Sequence, residues 1–128
     1  ADLVLYFVTD PRTRHGRDLA AGARVAGAVQ PDVRTWDDVL GVQLEGRAAV
    51  VEGAAREAAL ACYLAKFPDV QRLFDAPRSD GERVIGERLR KTAFWAMRPE
   101  FLRLIDNARG FGWKGELALA AAPQAGAQ

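Results

Sequence analysis

Seven residues packed into nine positions carry the clearest prospect of chemistry: Thr9, Asp10, Arg12, Thr13, Arg14, His15 and Arg17. Hydroxyls, guanidinium groups and an imidazole are the side chains that grip an anion. The apolar run Leu3-Val4-Leu5-Tyr6-Phe7-Val8 stands before them, with the length and the aromatic, β-branched character of a buried strand. Helix signals come next: Pro11 can open a helix behind Asp10, and Thr13 is a second candidate cap. A strand thus delivers cations and hydroxyls to the start of a helix, where free N–H groups favour negative charge. The same stretch also reads as a solvated basic turn, and spacing alone leaves both readings open.

Scarcity removes several other chemistries. The 128 residues hold one cysteine, Cys62, and one histidine, His15, too few for a Cys/His zinc site, so no metal is expected. Ser79, the one serine, sits in a polar Pro-Arg-Ser-Asp-Gly loop and makes no convincing triad. Neither a Walker A loop nor a GxGxxG motif is present. Difficult chemistry here would therefore borrow its reactive part from a cofactor. A net charge of +1 argues against bulk attraction to polyanions, so any basic site is local. The lone cysteine fits a reducing compartment, and no run has the length of a membrane span; we expect a cytoplasmic chain without membrane or nucleic-acid partners.

The elements that position the cluster follow from periodicity. A short helix ends near Gly22, and Gly16 inside it costs about 1 kcal/mol relative to alanine, which makes sense if something approaches the backbone there. Ala23 to Gln30 reads as a strand. Leu40, Val42, Leu44, Gly46 and Ala48 alternate with Gly41, Gln43, Glu45 and Arg47 in a half-buried strand. Gly53 to Phe67 is a helix halted by Pro68, with Cys62 expected as an inert packing residue. Asp69 to Phe74 adds a helical turn, Asp75 to Gly81 is a loop, and Glu82 to Lys91 a charged helix. Two strands, Ala93–Met97 and Phe101–Ile105, are separated by a bend at Arg98-Pro99-Glu100, and a last strand runs from Trp113 to Leu119. Trp36 and Trp95 are expected to be structural. About six mostly antiparallel strands joined by short helices predict a mainly β (α+β) chain, a barrel or strongly curved sheet. Residues 1–119 form its single domain and 120–128 a mobile tail.

In order, these residues resemble the pyridoxamine 5′-phosphate oxidase-like family, the FMN-binding split barrels. The matching features are strand, Thr9-Asp10, Thr13-Arg14-His15-Gly16 and Leu19; Trp36 before Gly41-Val42-Gln43-Leu44-Glu45-Gly46; Tyr63 with Phe67-Pro68; Pro99; and Asp106-Asn107 with Gly110-Phe111-Gly112. The small bacterial members are the nearest in pattern. The resemblance implies an antiparallel split β-barrel, a homodimer with FMN at the subunit interface, and flavin-dependent oxidation or reduction of a small molecule. It implies that Val8, Thr9 and Thr13 line the ribityl phosphate and that Arg14 pairs with it. His15 stands where the family has lysine; a phosphate beside it would favour its protonated form. Gln43 would reach the flavin edge, and Trp113 and Lys114 the ring system.

Family members carry a helix and hairpin ahead of the strand that starts here at Leu3, so the chain is expected to be a fragment. The edge of that strand would then invite pairing. No residue presents itself as catalytic acid or base. The competing expectation is a non-enzymatic dimeric split-barrel module that holds another ligand or none. A nucleic-acid-binding barrel is the weakest alternative, because no strand face interleaves aromatic and basic residues.

Overall fold

The computed structural model describes residues 3–22 and 24–120. Along the chain lie β1 (Leu5–Val8), α1 (Arg14–Ala20), β2 (Arg24–Val29), β3 (Leu40–Val51), α2 (Gly53–Lys66), α3 (Pro68–Asp75), α4 (Asp80–Lys91), β4 (Phe94–Asp106) and β5 (Lys114–Ala118). The five strands form one sheet in the order β1-β4-β3-β2, with β5 also paired to β4. The described residues fall into two compact units: the first drawn chiefly from segments 24–48 and 97–120, the second from 5–21 and 49–96. The expected tail lies mostly outside the described residues.

In the first unit, β2 runs antiparallel to β3 with Val25 opposite Gly46 and Gly27 opposite Leu44. Leu44, Gly46 and Ala48 are buried while Gln43, Glu45 and Arg47 are exposed, as a period of two dictates. β5 lies antiparallel to β4, placing Leu102 against Leu117. The expected bend at Arg98-Pro99-Glu100 is absent: β4 is one strand of 13 residues with Pro99 buried inside it. Gly46 explains the difference. A Cβ there would come within 2.9 Å of Pro99 Cα, so the missing side chain lets β4 pass flat against β3. Six expected strands therefore become five. Glu100 receives Arg24 at 3.1 Å and Arg47 at 3.4 Å, joining three strands by charge.

In the second unit, helix starts follow local chemistry. Thr13, not Asp10 with Pro11 behind it, caps α1: its hydroxyl accepts the Gly16 N–H at 3.1 Å. Pro68 opens α3, and Ser79 caps α4 by accepting the Glu82 N–H at 3.2 Å. The expected loop thus narrows to the residues between α3 and α4. Arg72 clamps Glu82 with two bonds of 2.8 and 2.9 Å, tying α3 to α4. That guanidinium pulls the Glu82 carboxyl down to about 2. The core is aromatic: Phe94 is buried with Tyr63 edge-on at 5.8 Å, and Trp95 stacks on Phe7 at 6.4 Å. Two packing expectations fail. Cys62 is exposed on α2, whose buried position is Ala59. Trp36 is 62% exposed: Asn107 holds its carbonyl, and its ring meets only the edge of Phe111, itself exposed. No helix among the described residues is long and apolar enough to cross a membrane.

Candidate functional site

The strand-to-helix junction is built from Trp95 outward. As β1 gives out at Val8, the buried indole donates its N–H to the Thr9 carbonyl at 3.2 Å and fixes where the chain turns. The Thr9 hydroxyl then lies 2.5 Å from His15 Nε2 and 3.4 Å from the Thr13 hydroxyl. Thr13 Oγ1 donates to the Asp10 carbonyl at 2.7 Å, so one side chain closes the turn and caps the helix. This cap puts Arg14 and His15 in the first turn of α1, both exposed. Arg14 makes no side-chain ion pair among the described residues.

The cations of this stretch divide into two groups. Arg12 turns its Nε and Nη2 onto Asp10, with contacts of 2.6, 3.0 and 3.1 Å to its carboxylate. The guanidinium bond holds that carboxyl at about 2, well below its usual range. Arg17 donates to the Arg12 carbonyl at 3.2 Å. Arg14 and His15 thus remain for a ligand. Gly16 does need a close approach, but of a different kind from the one the sequence suggests: a Cβ there would meet Asp10 and Pro11, with Pro11 Cα at 2.8 Å. The chain's own turn, rather than a ligand, occupies that space.

Of the residues expected around a cofactor, the structure brings Thr9, Thr13 and His15 together, with Arg14 beside them. Val8 is the half-buried residue that leads in. Gln43, Trp113 and Lys114 belong to the first unit. Gln43 is exposed, and Arg103 reaches its Oε1 at 3.4 Å while also donating to Glu116 at 2.8 Å. Trp113 is half-buried beneath the Arg109 guanidinium at 4.5 Å, and Lys114 is exposed opposite Ile105. Trp113 and Lys114 therefore make local contacts and no side-chain bond to Gln43. Arg103 escaped the sequence reading because its partners lie far along the chain. Asn107 was visible only as a turn residue. Buried, it donates to the Trp36 carbonyl at 2.7 Å and accepts the Gly112 N–H at 3.0 Å, organising the Gly-Phe-Gly turn.

No family model matches the chain. The chain is 34% identical over 113 residues to the UPF0306 protein YhbP of Salmonella paratyphi B, and equally to that of Salmonella typhi. These alignments cover 88% of the chain and 65% of each relative, so the chain spans just under two thirds of their length. Among solved structures, a heme-binding protein from Mycobacterium smegmatis superposes with a TM-score of 0.63 at 20% identity, over 91% of this chain and 44% of that one. A second solved chain gives 0.60 at 22% identity, over 92% and 67%. These likenesses show the fold: an α+β chain with an antiparallel sheet of the split-barrel kind, as the sequence led us to expect.

Proposed function

We propose that this chain binds FMN and holds its phosphate at the junction of β1 and α1. One observation carries the reading. Thr9, Thr13 and His15 converge within hydrogen-bonding distance while Arg14 next to them keeps a guanidinium free of ion pairs among the described residues. A phosphate presents only acceptors, and Thr9, Arg14 and His15 can each donate to it, while the Thr13 hydroxyl, whose proton goes to the Asp10 carbonyl, shapes the turn beside it. The neighbouring Asp10 carboxylate, which would repel it, is already neutralised by Arg12. The donor set therefore fits the phosphate end of FMN. When bound, the flavin supplies hydride transfer at its N5. The protein's part is to bind, orient and shield: Arg14 and His15 meet phosphate charge, the Thr9 hydroxyl fixes its direction, and Thr13 lines it while holding the turn. In the same reading the reaction is oxidation or reduction of a small molecule in the cytoplasm.

A homodimer belongs to this proposal. Its support is apolar surface in the first unit: Phe111 is 84% exposed, packs edge-on to the exposed Trp36 at 5.9 Å, and Val29 and Leu117 are exposed as well.

Haem is the second reading, favoured by the exposed imidazole of His15 and by the heme-binding protein among the fold's neighbours. Titrations with FMN and with hemin separate the two. The FMN reading expects saturable quenching of flavin fluorescence, weakened about 10- to 100-fold by Arg14→Ala, the usual worth of a bond to a charged group. A hemin absorption shift abolished by His15→Ala, with no flavin quenching, would replace it. Failure of both ligands would leave the non-enzymatic binding module.

A further inference from the structure

A second basic site lies in the same unit, lined by neither Arg14 nor His15. Asp10, Pro11 and Arg12 form one wall of a groove of about 700 Å³, and Arg88, Lys91, Thr92 and Ala93 form the other. Small-molecule sites span roughly 300–1,000 Å³. Four cations, Arg56, Arg88, Arg90 and Lys91, lie at or beside the end of α4 that supplies the second wall, and they split by task. Arg56 donates to the Arg90 carbonyl and, at 3.3 Å, to the Thr92 carbonyl. Arg90 donates to the Phe74 carbonyl at 3.1 Å and lies 4.7 Å over the Phe74 ring. The Thr92 hydroxyl satisfies the Arg88 carbonyl at 2.8 Å. The helix end is therefore served without Arg88 or Lys91, which make no ion pair among the described residues. They line the groove across from Arg12, whose position Asp10 fixes.

Three cations against one carboxylate leave this groove with a net charge of +2, and like charges gathered around a hollow repel unless an anion lies between them. We propose that the groove binds a small molecule carrying a diphosphate, through Arg88 and Lys91 on one wall and, on the other, Nη1 of Arg12, the guanidinium nitrogen that Asp10 does not hold. A diphosphate diester brings about two negative charges and acceptors spread over two phosphorus centres, matching cations that approach from two walls. A long polyanion is the poorer match, because the chain's net charge is only +1. The proposal does not depend on FMN, since none of the Thr9 cluster lines the groove.

The test is an amide-shift titration of the ¹⁵N-labelled chain with inorganic pyrophosphate, then with adenosine diphosphate, at constant ionic strength. We expect saturable shifts at Arg12, Thr92 and Ala93 with at least one of the two. The double variant Arg88→Ala/Lys91→Ala, exposed side chains whose loss leaves the core intact, should bind about tenfold or more weakly. Arg14→Ala should bind as the parent does. Shifts that never saturate overturn the proposal. So does a loss that follows Arg14 instead, or a response confined to a long oligonucleotide.

Discussion

The indole N–H of Trp95 reaches 86 residues back along the chain to the carbonyl of Thr9, at 3.2 Å. This bond joins the buried start of β4 to the point where β1 ends, so the core sets the position of the Thr9 hydroxyl. Trp95→Phe keeps an aromatic ring against Phe7 but strands a half-buried carbonyl. Urea unfolding should show a loss of about 2 kcal/mol. FMN affinity should fall with it, because Thr9 loses its anchor. A variant as stable as the parent would show that the bond contributes nothing.

Gly16→Ala tests whether the turn and the helix are locked together. The new methyl would press on the Asp10–Pro11 backbone, with Pro11 Cα 2.8 Å away and little room to yield. Overpacking of this kind costs about 1–3 kcal/mol, although alanine would otherwise favour the helix by about 1 kcal/mol. A net gain in thermal stability would refute the close approach.

These two residues also mark where the sequence was legible. Local signals held: the Thr13 cap, the period of two through Leu44, Gly46 and Ala48, and Pro68 at the head of α3 all depend on near neighbours. Signals that depend on which backbone the fold lays against a residue misled. Pro99 looks like a strand breaker until Gly46 is seen against it. Gly16 suggests a ligand until Pro11 is found there. At the site, hydroxyls and cations of the right type were visible, but not their division of labour. Only geometry shows Arg12 committed to Asp10 and Arg14 free. Arg88 and Lys91 read as ordinary solvated charges of a helix end, because nothing in their spacing points to Arg12.

The Arg72–Glu82 clamp should make the α3–α4 pair sensitive to acid. Its carboxyl is lowered from 4.5 to about 2, chiefly by the bond from Arg72. Its contribution is therefore complete above about pH 4.5 and fades as pH falls toward 2. The stability gap between the parent and Glu82→Gln, measured by urea unfolding, should be constant from pH 7 to 5 and narrow below that. A gap that persists unchanged at pH 3 would show that the carboxylate charge is not what holds the helices.

Phe111 supplies a test of self-association. Replacing a ring that is 84% exposed removes little from the folded monomer. Phe111→Ser should therefore leave thermal stability within about 0.5 kcal/mol, yet shift the mass found by light scattering from dimer toward monomer. A parent chain that is monomeric at all concentrations would remove the homodimer from the proposal.

The phosphate is the part of FMN that the junction is proposed to grip, and riboflavin lacks it. Fluorescence titrations of the parent and of Arg14→Ala with both flavins isolate that one group. The parent should bind FMN at least about 10-fold more tightly than riboflavin, and Arg14→Ala should lose most of that preference while binding riboflavin as before. Equal affinity of the parent for the two flavins, or a preference for FMN that survives in Arg14→Ala, would contradict the assignment.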